Sequence, residues 1–559
     1  MLLKAFDVAE CMNKYFYKKI QLIRQSITLI AWSPENCRKI MRGRKCSLSM
    51  SIPTKFEVLN ILKSLSKSKC SAIDGLDNFV VKIASEAILG PLHHIIVLSI
   101  MQEKFPDDWK LAKVIPLHKK DDVLEPKNYR PVSILSPLSK VLERVVHNQL
   151  YKYMTVNKIF HQSLHGYRQN RSTLTALLQM YEKWVQSASN GKLSGAVFLD
   201  LSAAFDLVPP DILQEKLKVY GLDNSFLNWM KNYMSGRLQS VWIDHCFSNY
   251  LPCEVGVPQG SILGPLIFLI FINDLSYSLK SDVEQYADDT TVSESDADLH
   301  KISEDLSSSC KTISLWMSQN HLKLNPNKTH ILLFGTQRRL LSTQDCLNVY
   351  MDGQKLKESD SRSETLLGCE IQNNLKRTNQ FSKFKEMLKT RISGLYEIRY
   401  ALPADTLKCI TEGWFQSVLI YCLPLFGGCS EYELDSLQVI QNKIARIITR
   451  SHQRRHRADM YDQLEWLTVR QLVMYHTLIT IFRIRTTGEP DKLYTIFSNE
   501  NRSSKIIIPM SNLTLYRKSF AYRGIQSWNL LPEDMRNLVK IVQFKRKVKN
   551  WIFNEVSKF

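Results

Sequence analysis

The feature that most constrains the fold of this chain is a pair of adjacent carboxylates, Asp288 and Asp289, in the stretch QYADDTTV at 285–292. They lie between an apolar-leaning segment and a run of β-branched residues. An isolated Asp-Asp pair is most often part of an exposed polar turn, because short motifs of this kind occur frequently by chance. The pair therefore indicates a site only if another carboxylate joins it.

Asp200 is the candidate for that third carboxylate. It ends an apolar and β-branched run in AVFLDLSAAFDLV (196–208), and helix signals begin soon after, which predicts a carboxylate projecting from a strand end. Asp200 and Asp288 can lie on neighbouring strands of one sheet although they are far apart in sequence. Two Mg²⁺ ions about 3.5 to 4 Å apart need oxygen ligands on both sides, which carboxylates and phosphates provide. The pattern therefore favours phosphoryl transfer, in which one metal activates a hydroxyl and the other neutralises a leaving pyrophosphate.

The stretch GVPQGSILGPLIFLIFINDL (256–275) lies between the two acidic sites. Its Gln259-Gly260 pair permits close approach of the backbone to a ligand, where a side chain would clash. The alternative interpretation is a Gly/Pro turn that leads into a buried helix, and the second half of the stretch fits that description.

The composition favours a polyanionic partner. Of the 559 residues, 74 are Lys or Arg and 54 are Asp or Glu, which gives a net charge of +20. Nucleic acid is the commonest polyanion for such a chain, although basic surfaces also serve solubility or membrane binding. The 12 cysteines form no C-x-x-C pair, so the sequence indicates neither a zinc ribbon nor a disulfide framework.

The sequence predicts no membrane segment and no secretory signal. The opening 32 residues carry acidic and basic side chains and are typical of an amphipathic helix. The longest uncharged run, 255–273, is interrupted by prolines and glycines and is too short in its unbroken part to span a bilayer. We therefore expect a protein that is not secreted.

Three motifs in this order resemble the palm motifs of reverse transcriptases encoded by non-LTR retrotransposons, close to the jockey-like branch: FLDLSAAFD (198–206), GVPQGSILGPLIF (256–268) and YADDT (286–290). Similar finger and late-palm motifs are WKLAKVIPLHKKDD and NYRPVSILSPLSKVLERV (109–145), HGYRQNRSTLTALL (165–178) and NHLKLNPNKTHILLFG (320–335). The resemblance covers roughly residues 55 to 540 and is strongest over 109–335.

The resemblance implies an α/β (α+β) fold of the right-hand polymerase type, with an antiparallel palm sheet, fingers, and a helical thumb and C-terminal region. We expect an N-terminal helical segment (1–52), a helical extension (53–108), fingers and palm (109–335), late palm and a thumb-like region (336–450), and a basic helical C-terminal region (451–559). Complete elements also encode an upstream endonuclease, and the residues before 50 leave no room for one. The chain therefore resembles a partial element product without its endonuclease.

The resemblance also assigns the metal site. It implies that Asp200 and Asp288 hold two Mg²⁺ ions, with Mn²⁺ as the alternative metal, and that Asp289 supports the second carboxylate position. The backbone carbonyl of Leu201 would complete one coordination sphere. Asp206 is interpreted as structural.

The residues expected to bind the nucleotide lie in three motifs. Lys119, Lys120 and Arg130 fall where the fingers of the family close over the triphosphate, and an arginine can bind phosphate oxygens through two hydrogen bonds. A solvated basic loop is the alternative for all three. Gln259 and Gly260 would line the floor under the nucleotide and template.

Two further residues carry both a functional and a structural interpretation. Lys328 in NPNKT resembles the late-palm lysine proposed to protonate pyrophosphate, and a surface lysine is the alternative. Phe205 matches the steric-gate position, where an aromatic face leaves neither space nor a hydrogen-bond partner for a ribose 2′-OH. The alternative is a core phenylalanine on a helix face.

The basic run RSHQRRHR (450–457) resembles segments that follow a duplex through its phosphates, and a solvated helix face is the alternative. The chain departs from the family pattern after LLGCEI, where Gln372 replaces the usual Asp and no His follows closely. The usual Trp-Gly near LFGGC is absent as well. These departures bear on the thumb and leave the palm motifs intact.

The resemblance thus implies an RNA-directed DNA polymerase that uses an RNA template, a DNA primer and deoxynucleoside triphosphates, in the nucleus or the cytoplasm. The alternative is a catalytically inactive relic that still binds nucleic acid. All three carboxylates and Gln259-Gly260 are present, which favours the enzyme. Primer extension on RNA with and without Mg²⁺ separates the two.

Overall fold

The computed structural model describes residues 4–325, 327–343, 346–359, 361–452, 455–501, 505–511 and 513–555. Its α-helices are α1 Ala5–Gln25, α2 Glu35–Met41, α3 Lys55–Ser64, α4 Asn78–Ile83, α5 Ser85–Met101, α6 Pro137–Val156, α7 Thr173–Ser189, α8 Ala204–Leu207, α9 Pro210–Val219, α10 Asn224–Met234, α11 Leu263–Ile272, α12 Leu275–Ser278, α13 Leu299–Gln319, α14 Gln337–Ser342, α15 Thr378–Ile398, α16 Ala404–Thr411, α17 Ser417–Leu419, α18 Leu423–Phe426, α19 Glu431–Thr449, α20 Arg457–Leu464, α21 Val469–Thr487, α22 Asp491–Ser498, α23 Thr514–Arg517, α24 Phe520–Asn529, α25 Glu533–Arg536 and α26 Ile541–Asn554.

Its strands are β1 Leu111–His118, β2 Tyr129–Ile134, β3 Leu193–Leu199, β4 Arg237–Ile243, β5 Cys246–Phe247, β6 Leu251–Cys253, β7 Asp282–Tyr286, β8 Asp289–Asp296, β9 His330–Phe334, β10 Tyr350–Met351, β11 Gln354–Lys355, β12 Lys357–Glu358, β13 Ser363–Leu366 and β14 Cys369–Gln372. The fold is a mixed α/β architecture, as predicted.

The central sheet has the strand order β12-β9-β3-β8-β7. Strand β3 runs antiparallel to both neighbours, with Val197 opposite Ile331 of β9 and Leu199 opposite Thr290 of β8. Every residue of β3 is buried, which explains its unbroken apolar run, since a strand covered on both faces does not alternate polar and apolar residues. The antiparallel palm sheet predicted from the sequence is present, with the short parallel strand β12 added at one edge.

A second sheet contains β2-β1-β4-β5, with β6 also paired to β4. The β1–β2 hairpin is antiparallel, whereas β1 and β4 are parallel. Helix α1, which the amphipathic opening segment predicts, packs on this sheet. Asn13 of α1 donates to Ser248 Oγ at 2.9 Å and to the Asn249 carbonyl at 2.8 Å. Helix α1 is thereby joined to the segment between β5 and β6, which lies more than 200 positions further along the chain.

Beyond residue 336 the prediction of mostly helical structure is correct from α15 onward. Between 350 and 372, however, the chain forms five short strands, β10 to β14. Strands of two to four residues are too short to show an alternating apolar pattern, which is why periodicity did not reveal them.

The apolar core lies on both sides of the central sheet. One buried cluster joins α6, α9, α10, α11 and α13, and the other joins α7 to the helices from α15 to α26. Helix α11 forms the second half of the uncharged run 255–273 and is buried on all sides within the first cluster. In the described part of the chain, no helix combines the length and the apolar character needed to cross a bilayer.

Candidate active site

The three carboxylates lie at one end of the strands of the central sheet, where β3 ends and β8 begins. Asp200 directly follows β3, whose last residue, Leu199, is paired with Thr290 of β8. Asp289 precedes Thr290 and is paired with Tyr286 across the β7–β8 hairpin. Asp288 lies in the two-residue turn of that hairpin. The antiparallel pairing of β3 with β8 therefore brings Asp200 next to the Asp-Asp pair.

The carboxylates influence one another electrostatically. Partial burial, together with the negative charges of Asp288 and Asp200, raises the pKa of Asp289 to about 6. Mutual repulsion of this kind is relieved by a divalent cation, and carboxylate oxygens are the ligands that Mg²⁺ prefers. Within the described ranges, no group of three or more His, Cys, Asp or Glu side chains is arranged so that it could hold a metal ion. The carboxylate oxygens have the donor chemistry that suits a hard cation, but the geometry of the three side chains does not by itself form a metal site.

The segment around Lys328 borders Asp200. Lys328 Nζ lies 3.5 Å from Asp200 Oδ2, and both side chains are accessible to solvent. The Asp200 carbonyl accepts a hydrogen bond from the Asn325 N–H at 2.8 Å, and Leu201 forms a backbone bridge with Leu324. The Asp200 carbonyl oxygen therefore already accepts a hydrogen bond. The carbonyl expected to ligate a metal belongs to the following residue, Leu201.

Cationic side chains near the second sheet interact electrostatically with Asp200. Lys119 follows β1, and Arg130 lies in β2 opposite Leu117. Burial and the positive charges of Arg130, Lys19 and Lys328 lower the pKa of Lys119, while the Asp200 carboxylate opposes this shift. Lys119, Arg130 and Lys328 thus share one electrostatic environment with Asp200.

Two further lysines of this region, Lys120 and Lys19, belong to different elements. Lys120 is exposed in the loop that follows β1. Lys19 belongs to α1, is half-buried, and lines a cavity together with Asp206 and Gln259. Sequence reasoning did not identify Lys19, because a lysine in an amphipathic helix carries no local sign of a distant site.

Gln259 and Gly260 lie against the β1–β2 hairpin. The Ser133 N–H donates to the Gln259 carbonyl at 2.8 Å, and a Cβ on Gly260 would lie 2.0 Å from the Ser133 carbonyl oxygen. Gly260 also has φ of +139°, which side chains disfavour. Close approach of the backbone was predicted, but the group that excludes a side chain here is the backbone of β2.

The Gln259 side chain is held by Asp206. Gln259 Nε2 donates to Asp206 Oδ1 at 2.7 Å. Burial raises the pKa of the Asp206 carboxyl, with Gln259 and nearby cations acting in the opposite direction. This contact is consistent with the structural role that the sequence suggested for Asp206.

Phe205 packs against two other aromatic rings and is only partly buried. Its ring stacks on Phe268 of α11, with centroids 4.4 Å apart, and meets Tyr167 edge-on at 6.2 Å. Phe205 itself is half-buried, whereas Phe268 is fully buried. The stacking on Phe268 fits the core interpretation, and the partial exposure of Phe205 is compatible with the steric-gate interpretation.

The loop before α7 contributes residues that sequence reasoning quoted only as part of a motif. The His165 N–H donates to the Gln285 carbonyl at 2.8 Å, so the loop runs beside β7. A Cβ on Gly166 would lie 2.5 Å from the Ala287 nitrogen, which makes this glycine a direct support of the carboxylate turn. Tyr167 follows, and burial and the charge of Asp288 raise the pKa of its hydroxyl.

Buried polar groups fix the elements behind the site. Glu143 accepts hydrogen bonds from the N–H groups of Ile262 and Leu263 and so holds the start of α11. Lys216 and Asp274 form a fully buried ion pair at 2.6 Å. Glu143 and Asp274 stand inside quoted motifs and Lys216 stands outside them. Their partners lie far away in sequence, so the sequence alone did not reveal what they do.

The basic run 450–457 connects two helices. Gln453 and Arg454 lie outside the described residues. Arg450 donates to the Leu402 carbonyl at 2.9 Å, and Arg455 donates to Ser451 Oγ at 2.8 Å. Of the described residues in the run, only Arg457 begins a helix, α20, so the alternative of a solvated helix face is wrong for most of it.

A protein-family model and two similar curated proteins all concern reverse transcriptases. Residues 117–371 match the family model of the reverse transcriptase (RNA-dependent DNA polymerase). The chain is 26% identical to a Drosophila melanogaster protein named "Probable RNA-directed DNA polymerase from transposon BS", over 79% of the chain and 50% of that protein. It is 24% identical to the RNA-directed DNA polymerase from mobile element jockey of the same species, over 76% of the chain and 48% of that protein. The chain thus spans about half the length of the curated relatives it matches.

Proposed function

Residues 117–371 belong to the reverse transcriptase family, and from this premise we propose that the chain is an RNA-directed DNA polymerase of a non-LTR retrotransposon. It would extend a primer 3′-OH on an RNA template with deoxynucleoside triphosphates. The observation that carries the proposal is the meeting of Asp200, Asp288 and Asp289 at the ends of paired strands, with Lys119 close enough to Asp200 to interact with it electrostatically. Priming on chromosomal DNA would take place in the nucleus, after binding of RNA in the cytoplasm or the nucleus.

Asp200, Asp288 and the carbonyl of Leu201 would hold two Mg²⁺ ions, with Asp289 in support. When bound, the ions would activate the primer hydroxyl and neutralise charge on the leaving pyrophosphate. The chain's own contribution is to orient these oxygens: β3 fixes Asp200, and the β7–β8 turn fixes Asp288. Positioning of charge before substrate arrives is the main way in which such sites lower a barrier.

Lys119, Lys120 and Arg130 would bind the triphosphate from the side of the second sheet. Arg130 offers two parallel N–H donors to phosphate oxygens, and the lysines offer point charges. Lys328, whose Nζ lies 3.5 Å from Asp200 Oδ2, would give a proton to pyrophosphate. Gln259, held by Asp206, would support the nucleotide and template from below.

Primer extension by the purified chain tests this function. We expect extension of a DNA primer on an RNA template with dNTPs and Mg²⁺, and none when Mg²⁺ is chelated. Binding of the primer–template without extension under any metal condition would instead identify an inactive nucleic-acid-binding relic.

We also propose that Lys19 of α1 is a phosphate-binding residue of the same nucleotide site. Lys19→Gln should raise KM for dNTP about fivefold with little change in kcat, because a half-buried cation near phosphate is worth about 1 kcal/mol. Lys18→Gln is the matched control, since Lys18 is the exposed neighbour on the same helix and its loss changes the net charge equally. Steady-state kinetics with dNTP varied make the measurement. Equal KM values for the two variants, or a change confined to primer–template affinity, would contradict this assignment.

A further inference from the structure

A charged network lies behind the carboxylate hairpin and reaches the C-terminal region. Glu284 on β7 is buried, and its Oε1 atom lies 3.0 Å from Lys492 Nζ of α22. The same lysine lies 3.1 Å from Asp282 Oδ1, two residues back on the strand. Gln179 of α7 donates to Glu284 Oε1 at 2.6 Å. One lysine from a distant part of the chain thus joins two carboxylates on one face of the strand that enters the active-site turn.

Glu284 is also connected to the loop that supports the turn. His165 Nε2 and Glu284 Oε2 form a buried hydrogen bond of 3.0 Å. Burial opposes ionisation of Glu284, but the hydrogen bond from His165 and the charge of Lys492 bring its pKa below the usual value. Next to His165, Gly166 lies against Ala287 in the turn itself. Lys492 is therefore linked to the turn that contains Asp288 through Glu284, His165 and Gly166.

A second set of ion pairs fastens the same loop to the same C-terminal segment. Glu489 Oε1 lies 3.3 Å from Arg168 Nη2, and Glu489 Oε2 lies 3.3 Å from Arg171 Nε. The Arg171 side chain is fully buried and that of Arg168 is 6% exposed. Two buried cations side by side repel each other, and the Glu489 carboxylate that pairs with both offsets this repulsion, so Glu489 stabilises this loop conformation.

We infer that the segment Glu489–Lys492 is a positioning element for the active site. It fixes the carboxylate turn from behind, with Lys492 acting on β7 and Glu489 acting on the supporting loop. The inference rests on the proposed polymerase function and extends it to the C-terminal region. Because a displacement of about 1 Å at a reacting centre can cost up to about a hundredfold in rate, small shifts of the turn should affect turnover before they affect binding.

The double variant Glu489→Gln/Lys492→Met tests this inference in the full chain. It removes one acidic and one basic residue, so the net charge stays the same. The matched control, Glu533→Gln/Lys540→Met, makes the same chemical changes at two exposed positions, the first residue of α25 and the residue before α26. We expect the first variant to lose about tenfold in kcat, with primer–template Kd within about twofold of wild type. The control should match wild type in both.

Hydrogen exchange separates positioning from general loss of stability. Amides of 282–292 should exchange faster in the Glu489→Gln/Lys492→Met variant, while those of α11 remain protected as in wild type. The single variant Lys492→Arg keeps the positive charge and should have most of the wild-type kcat. If the double variant does not fold, Lys492→Met alone serves, because this lysine is 47% exposed.

The outcomes distinguish the inference from the function on which it rests. Unchanged kcat in the variant, or a loss of kcat that equals the loss of folded protein, would overturn the positioning role while leaving the polymerase function standing. Failure of the wild-type chain to extend any primer would overturn both.

Discussion

Replacement of Asp200 or Asp288 by Asn is expected to reduce primer extension at least about a thousandfold while binding of RNA survives. Asn has nearly the same shape as Asp and still forms hydrogen bonds, so the change removes little but the negative charge. The proposed chemistry depends on that charge, because a neutral amide binds Mg²⁺ far less well than a carboxylate. Single-turnover extension and filter binding of labelled RNA provide the two measurements.

Asp296→Asn is the matched control for this pair of variants. Asp296 ends the same strand, β8, at the opposite edge of the sheet, where it pairs with Lys301 at 3.0 Å. It should extend primers at close to the wild-type rate. Near wild-type extension by Asp200→Asn or Asp288→Asn would show that the two-metal assignment is wrong.

The positions of Asp200 at a strand end and of the Asp-Asp pair at a turn were predictable because they depend on local patterns, whereas the pairing of β3 with β8 that brings them together is a long-range contact. A buried strand has an unbroken apolar run, a carboxylate at its end projects from the sheet, and a short turn between two strands exposes its central residues. These rules need no knowledge of distant contacts. They gave the strand end at Asp200 and the strand after Asp289, and family resemblance supplied the order of the motifs.

The residues that the sequence did not reveal act through partners far along the chain. Lys19 approaches Lys119 only because α1 packs on the second sheet, and Lys492 reaches Glu284 across 208 positions. Neither lysine lies in a distinctive local pattern, since isolated charges on helices are usually solvated. Gly260 illustrates the intermediate case: its need for a bare backbone was visible in the sequence, whereas its neighbour, Ser133, was not.

Phe205→Val is expected to raise the incorporation of ribonucleotides relative to deoxynucleotides by about one to two orders of magnitude. Phe205 stands five residues after Asp200, inside α8 and next to Asp206, which accepts a hydrogen bond from Gln259. If the accessible edge of the ring lies beneath the sugar, a ribose 2′-OH would meet both a clash and an apolar surface without a hydrogen-bond partner. Valine would remove the outer part of the ring and leave room for the hydroxyl. The measured quantity is the ratio of kcat/KM for a ribonucleotide and the matching deoxynucleotide.

Phe268→Val separates a sugar-contacting role from a packing role. Phe268 stacks on Phe205 at 4.4 Å but is fully buried, so its truncation weakens the same ring pair without opening the cleft surface. Loss of the larger side chain from the core should destabilise the Phe268→Val protein by roughly 1 to 3 kcal/mol, with an unchanged sugar ratio. A steric gate thus requires that the ratio change in Phe205→Val alone. If both variants are merely less stable and both keep wild-type discrimination against ribonucleotides, Phe205 is a core residue and another group selects the sugar.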